Sequence, residues 1–396
     1  MRVDVAIVGG GPTGSFVGKG LAEHGLDVVI VEEHREIGNP VCCTGIVGVE
    51  GLKELDVKPE KWVLGKLRKV AVYTPSNERI ELTRGKVEAF VINRAEFDRS
   101  LAQDAANAGA TFLLNERCID LNIDGELVVK LKGEQKIKLI ADVVVGADGP
   151  TSIVSRKAGL GGVNKNINCI QVETIAEASD DTAEVYFGKS FAPGFFGWLV
   201  KAGDVCRVGL GTAEGNSRSM LENFLYHHPV VSRKVKETTL NMCAGLSPLP
   251  LSCKLNSDRV LLVGDAAGQV KPLTGGGIYV GLSCAKLAVK AIVNAFKGGD
   301  VKKIKNYELA VMTKFGKDFE LGIRARILLE HMQDKDLNLI LGLLKRDEIR
   351  EIVLKNFDFN RHGSLVRALM LKSPELLRSL GIKRLIKYAH FFMNKK

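Results

Sequence analysis

No CxxC pair occurs among the eight cysteines of this 396-residue chain, and its seven histidines form no cluster at metal-ligand spacing. That leaves no zinc site to propose. No uninterrupted apolar run approaches the roughly 18–20 residues of a membrane span. Met1 leads straight into a strand pattern, without the basic and apolar regions of a signal peptide. These absences predict a cytoplasmic protein with reduced thiols. Internal repeats and low-complexity tracts are missing too. Charge of one sign is scarce outside one end of the chain. Lys and Arg number 56 against 46 Asp and Glu, a net +10. Positions 361–396 hold nine basic residues and one acid, Glu375, so +8 of the +10 lies there. The remainder is nearly balanced, which excludes a nucleic-acid-binding core.

What is present is a patterned α/β chain, long enough for two or three packed layers or two domains. Residues 3–8 are a continuous apolar run ending in glycines, the signature of a buried parallel strand. A helical stretch follows to about His24, where Gly25 is placed to end it, and residues 27–32 are a second buried strand. Positions 67–82 alternate around a Pro75-Ser76-Asn77 turn and predict a hairpin. Residues 93–108 return to helical periodicity, and 141–146 and 259–263 are further buried strands. Strand signals dominate 167–251, broken by one helix at 219–228. A helix spans about 277–296, and beyond Asn306 the pattern is helical throughout.

Gly9-x-Gly11-x-x-Gly14 lies where the first strand turns into the first helix. Glycines there permit a tight turn and close approach of the backbone to a pyrophosphate, which the helix N-terminus favours. Glu32 ends the second strand, placed to accept from ribose hydroxyls. The strand at 259–263 delivers Asp265 to its C-terminal end, where open α/β sheets bind ligands. Asp265 is placed to accept from a ribityl chain, and Gly275-Gly276-Gly277 opens a helix whose free N–H groups suit an anionic reduced flavin.

The ordered set GxGxxG…E, Asn93-Arg94-x-x-Phe97-Asp98, Ala147-Asp148-Gly149 and Gly264-Asp265-Ala266-Ala267-Gly268 with a later GGG resembles the para-hydroxybenzoate-hydroxylase-type flavoprotein superfamily. Within it, Pro40-Val41-Cys42-Cys43-Thr44-Gly45 and the segment 193–211 (PGFFGWLVKAGDVCRVGLG) resemble the geranylgeranyl reductases, notably archaeal digeranylgeranylglycerophospholipid reductases. The sequence departs from their pattern at Thr44, at Val200-Lys201 after the tryptophan, and in the lack of an acid before Gly45.

The resemblance implies a Rossmann-type FAD-binding domain (1–66, 88–160 and 253–305) interleaved with a mostly antiparallel-sheet substrate domain (67–87 and 161–252). A C-terminal helical region (306–396) follows. It implies FAD contacts from Gly9, Gly11, Thr13, Gly14, Glu32, Cys43, Thr44, Gly45, Arg94, Cys118, Asp265, Gly277 and Ile278. It also implies an apolar substrate tunnel, for which Phe191, Phe195, Phe196 and Trp198 are candidates. Aromatics at that spacing also suit an ordinary sheet core.

Cys43 is the candidate catalytic residue, delivering a proton or ordering the site; a buried structural cysteine is the other reading. Cys42 is expected to pack. His227-His228-Pro229 is expected to be a helix end before proline. The substrate implied is a prenylated lipid. No second GxGxxG offers an NAD(P)H site, so NADPH, ferredoxin and a reduced deazaflavin stay open as electron donor.

Apolar stripes at 365–369, 376–380 and 385–393 are flanked by basic residues. They suit either a helical cap or a peripheral contact with the inner face of the cell membrane. The rival functions are an FAD monooxygenase of the same superfamily, a reductase of the chlorophyll tail, and a non-catalytic lipid- or flavin-binding protein.

Overall fold

A computed structural model describes residues 1–133, 137–163, 165–249 and 254–372. Its first layer is a sheet with five parallel strands. In spatial order they are Thr111–Leu113, Val28–Val31, Arg2–Val8, Lys138–Gly146 and Val260–Leu262. Val5, Ile7, Val28, Ile30, Val144 and Leu261 have no accessible surface, because helices cover both faces of a parallel sheet and leave no polar side. The strands Glu116–Asn122 and Val128–Gly133 extend it antiparallel, pairing through the first residues of Lys138–Gly146.

Helices Pro12–Ala22, Arg94–Asn107 and Ile278–Lys297 share the apolar core of this layer. The last needs a correction to the sequence-based expectation. It is 20 residues long and, by length and composition, apolar enough to cross a membrane. Lys286 and Lys290 interrupt its apolar run without lowering its average below that of a span. In the fold the helix is mostly buried, with Leu282, Cys284, Ala285, Ala288 and Ile292 inaccessible; it is a core helix of the first layer.

The second sheet has seven strands in the order Val235–Pro248, Asn166–Ala176, Val205–Thr212, Gly197–Ala202, Thr182–Tyr186, Lys69–Tyr73 and Arg79–Thr83. All neighbours are antiparallel except Lys69–Tyr73 with Thr182–Tyr186, which come from separate segments of the chain. The hairpin at 69–83 turns through Asn77 at φ 66, a left-handed position that asparagine tolerates. One face of this sheet packs on the helix Ser217–His227 through Ile170, Val172, Phe191 and Phe224. That helix ends at His227, and the buried His228 accepts the N–H groups of Val230 and Val231 at 3.3 Å. The other face looks toward the first layer. A small sheet of Ile46–Gly48, Ala89–Ile92 and Val63–Leu67 joins the two.

Helices Asn306–His331, Asp334–Gly342, Asp347–Asn356 and Gly363–Lys372 close the structure. Leu343, Ile349, Val353 and Leu365 pack on Leu82 and Val70 of the hairpin. The apolar stripes expected at 376–380 and 385–393 lie outside the described residues.

Candidate active site

The parallel strands bring their C-terminal ends to one edge, where the glycine loop sits. Gly9 has φ +106, and a Cβ there would stand 2.2 Å from the Ala147 carbonyl oxygen; at Gly14 it would stand 2.0 Å from the Gly9 oxygen. The chain's own packing demands these two glycines. Gly11 is different, since nothing lies within 4 Å of an added Cβ. Protein packing does not explain a glycine there, whereas backbone approach to a pyrophosphate does. Gly11 also caps Pro12–Ala22 without a side-chain hydrogen bond, leaving amide hydrogens for an anion.

Glu32 does more than the sequence suggested. Its carboxylate accepts the Gly10 amide at 2.7 Å and the His34 amide at 2.9 Å, so it orders the glycine loop. A carboxylate offers about four acceptor positions, which leaves room for a ribose hydroxyl. Cys118 lies in the ladder opposite Leu131. Burial, with Asp148 nearby, pushes its thiol up to about 12.

A cavity of about 850 Å³ opens between the two layers, near the upper end of ordinary ligand pockets. Gly11, Thr13, Cys43, Thr44, Gly45, Arg94, Asp265, Gly277 and Ile278 line one end of it. Gly9, Gly14, Glu32 and Cys118 do not line it. Asp265 is half-buried, and desolvation raises its carboxyl to about 6 although Arg94 opposes the shift. A half-buried carboxyl facing a cavity suits hydroxyl partners from a bound molecule. Gly277 caps the helix Ile278–Lys297 with no side-chain hydrogen bond, so the positive end of that helix faces the same space. Arg94 is held by Asp98 through two bonds of 3.0 Å. Burial works against its charge, but Asp98 and the Cys43 thiol outweigh it and raise its pKa.

The segment carrying Cys43 is clamped from the second sheet. Period-two alternation puts Cys169, Gln171 and Glu173 of one strand on the cavity side, beside Arg207 of the next. The Arg207 guanidinium donates to the carbonyls of Thr44 and Ile92, both at 2.9 Å, and to Glu173 at 3.1 Å. Gln171 donates to the Cys43 carbonyl at 3.4 Å and accepts the Trp198 indole N–H at 3.0 Å. The Cys43 sulfur accepts the Gly45 amide at 3.3 Å.

The glycines of the segment 207–211 have a steric reason. A Cβ at Gly209 would meet the Trp198 ring at 2.6 Å, and one at Gly211 would meet Phe195 at 2.5 Å. Phe195, Phe196 and Trp198 line the cavity, the two phenylalanines stacked at 4.2 Å. Phe191 does not line it, which corrects the sequence reading. It packs in the core on the far face of the sheet, stacked on Phe224 at 4.7 Å. Phe187, which carried no sequence signal, takes a place on the wall.

The cavity then runs apolar toward Val70, Leu82, Leu344, Val353, Leu365 and Leu369. The C-terminal helices therefore form its far wall, where the sequence had suggested only a cap or a membrane contact. Lys271 also lines it, and its ammonium donates to the Phe359 carbonyl at 2.7 Å. Burial lowers its pKa to about 8. His362 sits nearby and stays neutral, its pKa lowered to about 3 by burial and by Lys271. Arg326 lies over Phe195 at 4.5 Å and donates to Glu330 at 3.2 Å.

The wider resemblances agree with this geometry. Residues 2–195 match the family model described as an FAD binding domain. The digeranylgeranylglycerophospholipid reductase of Methanocaldococcus jannaschii is 32% identical over 390 residues, covering 95% of this chain and 96% of that protein. The chain belongs to the digeranylgeranylglycerophospholipid reductase family. Its relative of the same name from Methanocella arvoryzae is 30% identical, covering 95% of this chain and 98% of that protein.

Among solved structures, a geranylgeranyl bacteriochlorophyll reductase-like protein of Thermoplasma acidophilum superposes with a TM-score of 0.85. The two are 25% identical, with 96% of this chain and 98% of that chain covered. The protein is an FAD-dependent oxidoreductase with a mixed α/β fold of this family. Its bare glycine at position 11, its cavity-facing Asp265 and its two uncapped helix N-termini fit that dinucleotide.

Proposed function

We propose that this protein saturates the geranylgeranyl chains of an archaeal glycerophospholipid. The observation that carries the reading is one cavity that joins the FAD-type residues Arg94, Asp265 and Gly277 to a long apolar wall of Val70, Leu82, Val353 and Leu369. An isolated trisubstituted alkene has no carbonyl to polarise, so reduction requires hydride at one carbon and a proton at the other in near-attack geometry. FAD, when bound and reduced, supplies the hydride from N5.

The chain's residues do the rest. Gly9, Gly11, Thr13, Gly14, Glu32, Arg94, Asp265, Gly277 and Ile278 hold the cofactor, and Cys118 meets it through its backbone. Phe195, Phe196 and Trp198 align the prenyl chain and exclude water. Thr44 and Gly45, fixed by Arg207, set the position of Cys43. The Cys43 thiol beside Arg94 is the group that delivers the proton.

Electrons come from an external donor, for which NADPH, ferredoxin and a reduced deazaflavin are the candidates. The basic residues near the end of the chain support a peripheral, cytoplasmic-side membrane contact that feeds lipid to the cavity.

The decisive experiment is anaerobic. Dithionite-reduced enzyme is mixed with a digeranylgeranylglycerophospholipid while flavin absorbance and product mass are followed. Reoxidation with two hydrogens gained per double bond is expected. A flavin that stays reduced until air is admitted, with a product that gains one oxygen, would instead identify a monooxygenase. Cys43→Ser is expected to slow this reoxidation by about 100-fold, within the usual range for losing a general acid, while binding FAD normally. Unchanged turnover would assign Cys43 a structural role only.

A further inference from the structure

The main cavity has a smaller neighbour, a polar cavity of about 210 Å³. Cys43, Arg94 and Gln171 line both spaces, so the loop that carries Cys43 is part of the partition between them. The second sheet bounds the small cavity at the antiparallel pair Asn166–Ala176 and Val235–Pro248. Gln171 stands opposite Cys243 there, and Glu173 opposite Asn241. Side chains two residues apart on a strand share a face, so these four form two rows on the cavity side. The Gln171 row lies at the partition. The Glu173 row lies toward solvent, because Asn241 is exposed, as is Asn39 across the opening. Arg207 extends that outer row, its Nε donating to Glu173 Oε1 at 3.1 Å.

Alkene reduction as proposed above takes one proton from Cys43 per double bond. The thiolate left behind must regain a proton before the next bond is reduced. On the main-cavity side the prenyl chain, packed on Phe195, Phe196 and Trp198, excludes the water that could supply it. The small cavity reaches Cys43 by another side. At roughly 30 Å³ of liquid per molecule, it has room for several waters.

We infer that the small cavity is the proton entrance to Cys43, with Glu173 as the relay carboxylate near its mouth. The inference rests on the proposed role of Cys43. Glu173 is the only carboxylate among the described residues that line the cavity. Arg207 engages one of its oxygens, and the other keeps its acceptor positions for water. Its side chain is 30% exposed, within reach of solvent. Gln171 cannot carry a proton. Its amide is fixed between the Cys43 carbonyl and the Trp198 indole, which holds the partition in place.

The step balances. Glu173 takes a proton from solvent and gives it to water in the cavity, and that water protonates the Cys43 sulfur. One solvent proton enters for each double bond reduced, and no electron moves along this path.

The first test needs no turnover. Oxidised, flavin-loaded enzyme is treated with iodoacetamide, with and without a digeranylgeranylglycerophospholipid, and each cysteine is followed by peptide mass mapping. Cys42 lines the main cavity alone and Cys243 the small one alone, so they report the two spaces separately. The lipid should protect Cys42 and leave Cys43 and Cys243 open. Asn241→Trp, which fills the mouth, should protect Cys43 and Cys243 when the lipid is present. Cys43 protected by the lipid together with Cys42, or labelled at the native rate in Asn241→Trp, overturns the entrance.

The second test is anaerobic multiple turnover. Glu173→Gln keeps an acceptor for Arg207 but carries no proton, so reduction should slow by about 100-fold, as for other lost proton-transfer groups. Acetic acid, small enough for the cavity, should restore the rate, which it could not do for a merely structural lesion. Native turnover in Glu173→Gln, or a loss that acetic acid leaves untouched, overturns the relay. Full turnover in Cys43→Ser would instead fail the proposed role of Cys43 itself, a result that neither Glu173 outcome mimics.

Discussion

Lys271 is a cation buried in an apolar wall, and elementary electrostatics says that such a charge is costly unless it is used. One hydrogen bond to the Phe359 carbonyl and the Phe359 ring at 4.4 Å compensate only part of the cost. Its pKa falls from 10.5 to about 8. The native state therefore binds fewer protons than the unfolded chain between those values, and stability rises with pH in that window. Below pH 8 the penalty is complete, about 3 kcal/mol for such a shift. Lys271→Met removes it and leaves one carbonyl unpaired, at about 1 kcal/mol. The variant should be more stable by about 2 kcal/mol at pH 7, with the gain shrinking as pH rises past 8. Denaturant melts at pH 7 and pH 10 check this. The ammonium also lies close to Gly276, where a Cβ would stand 3.1 Å from its Nζ, at the helix end proposed to stabilise the reduced flavin. Flavin reoxidation by substrate should thus decline above pH 8 in the native enzyme and lose that alkaline limb in Lys271→Met. A variant that is stabilised and fully active with an unchanged pH profile would limit Lys271 to packing.

The loop around Cys43 is held by side chains from a different element, and this contact decides how rigid the site is. Arg207 is buried and serves two carbonyls and one carboxylate. Arg207→Met would leave all three without their donor, a loss of about 3 kcal/mol for a buried charged partner. Reoxidation should slow by more than global stability alone explains, because Thr44 loses its anchor. Amide exchange at residues 42–45, faster in the variant than elsewhere, is the measurement. Nothing in the sequence marked Arg207 or Gln171 as a partner of Cys43: the clamp spans 163 residues for Arg207 and 128 for Gln171. Such contacts depend on strand register, which no local pattern encodes. The glycine loop, the strand-to-acid motifs and the helix opened by Gly277 were legible because each is built within one βαβ unit or one turn. Phe191 was misplaced for the same reason that Phe195 was placed correctly. Both sit in one aromatic segment, and only the turn through Gly194 at φ +71 sends them to opposite sides of the sheet. Lys271 takes its place in the wall through Phe359, 88 positions away.

Across the whole molecule, charge and cavity are arranged along the same axis of the chain. The described C-terminal helices wall the apolar end of the cavity with Leu344, Val353, Leu365 and Leu369, and the chain beyond them is basic. Residues 373–396 contain six basic residues and one acid, +5 of the net +10. All the proposed cofactor contacts lie at or before Ile278. Removing 373–396 should therefore leave FAD content and the visible spectrum unchanged. It should abolish sedimentation with vesicles of anionic phospholipid, to which each basic residue near the surface contributes about 1 kcal/mol. The full chain should release from those vesicles as salt rises, since surface attraction is screened within about 8 Å at 0.15 M ionic strength. Neither form should sediment with zwitterionic vesicles. Equal, salt-insensitive binding by both forms would move the membrane contact to an apolar surface such as Leu240 and Met242 on the edge strand, which are 54% and 46% exposed. That outcome would put the membrane beside the edge strand Val235–Pro248.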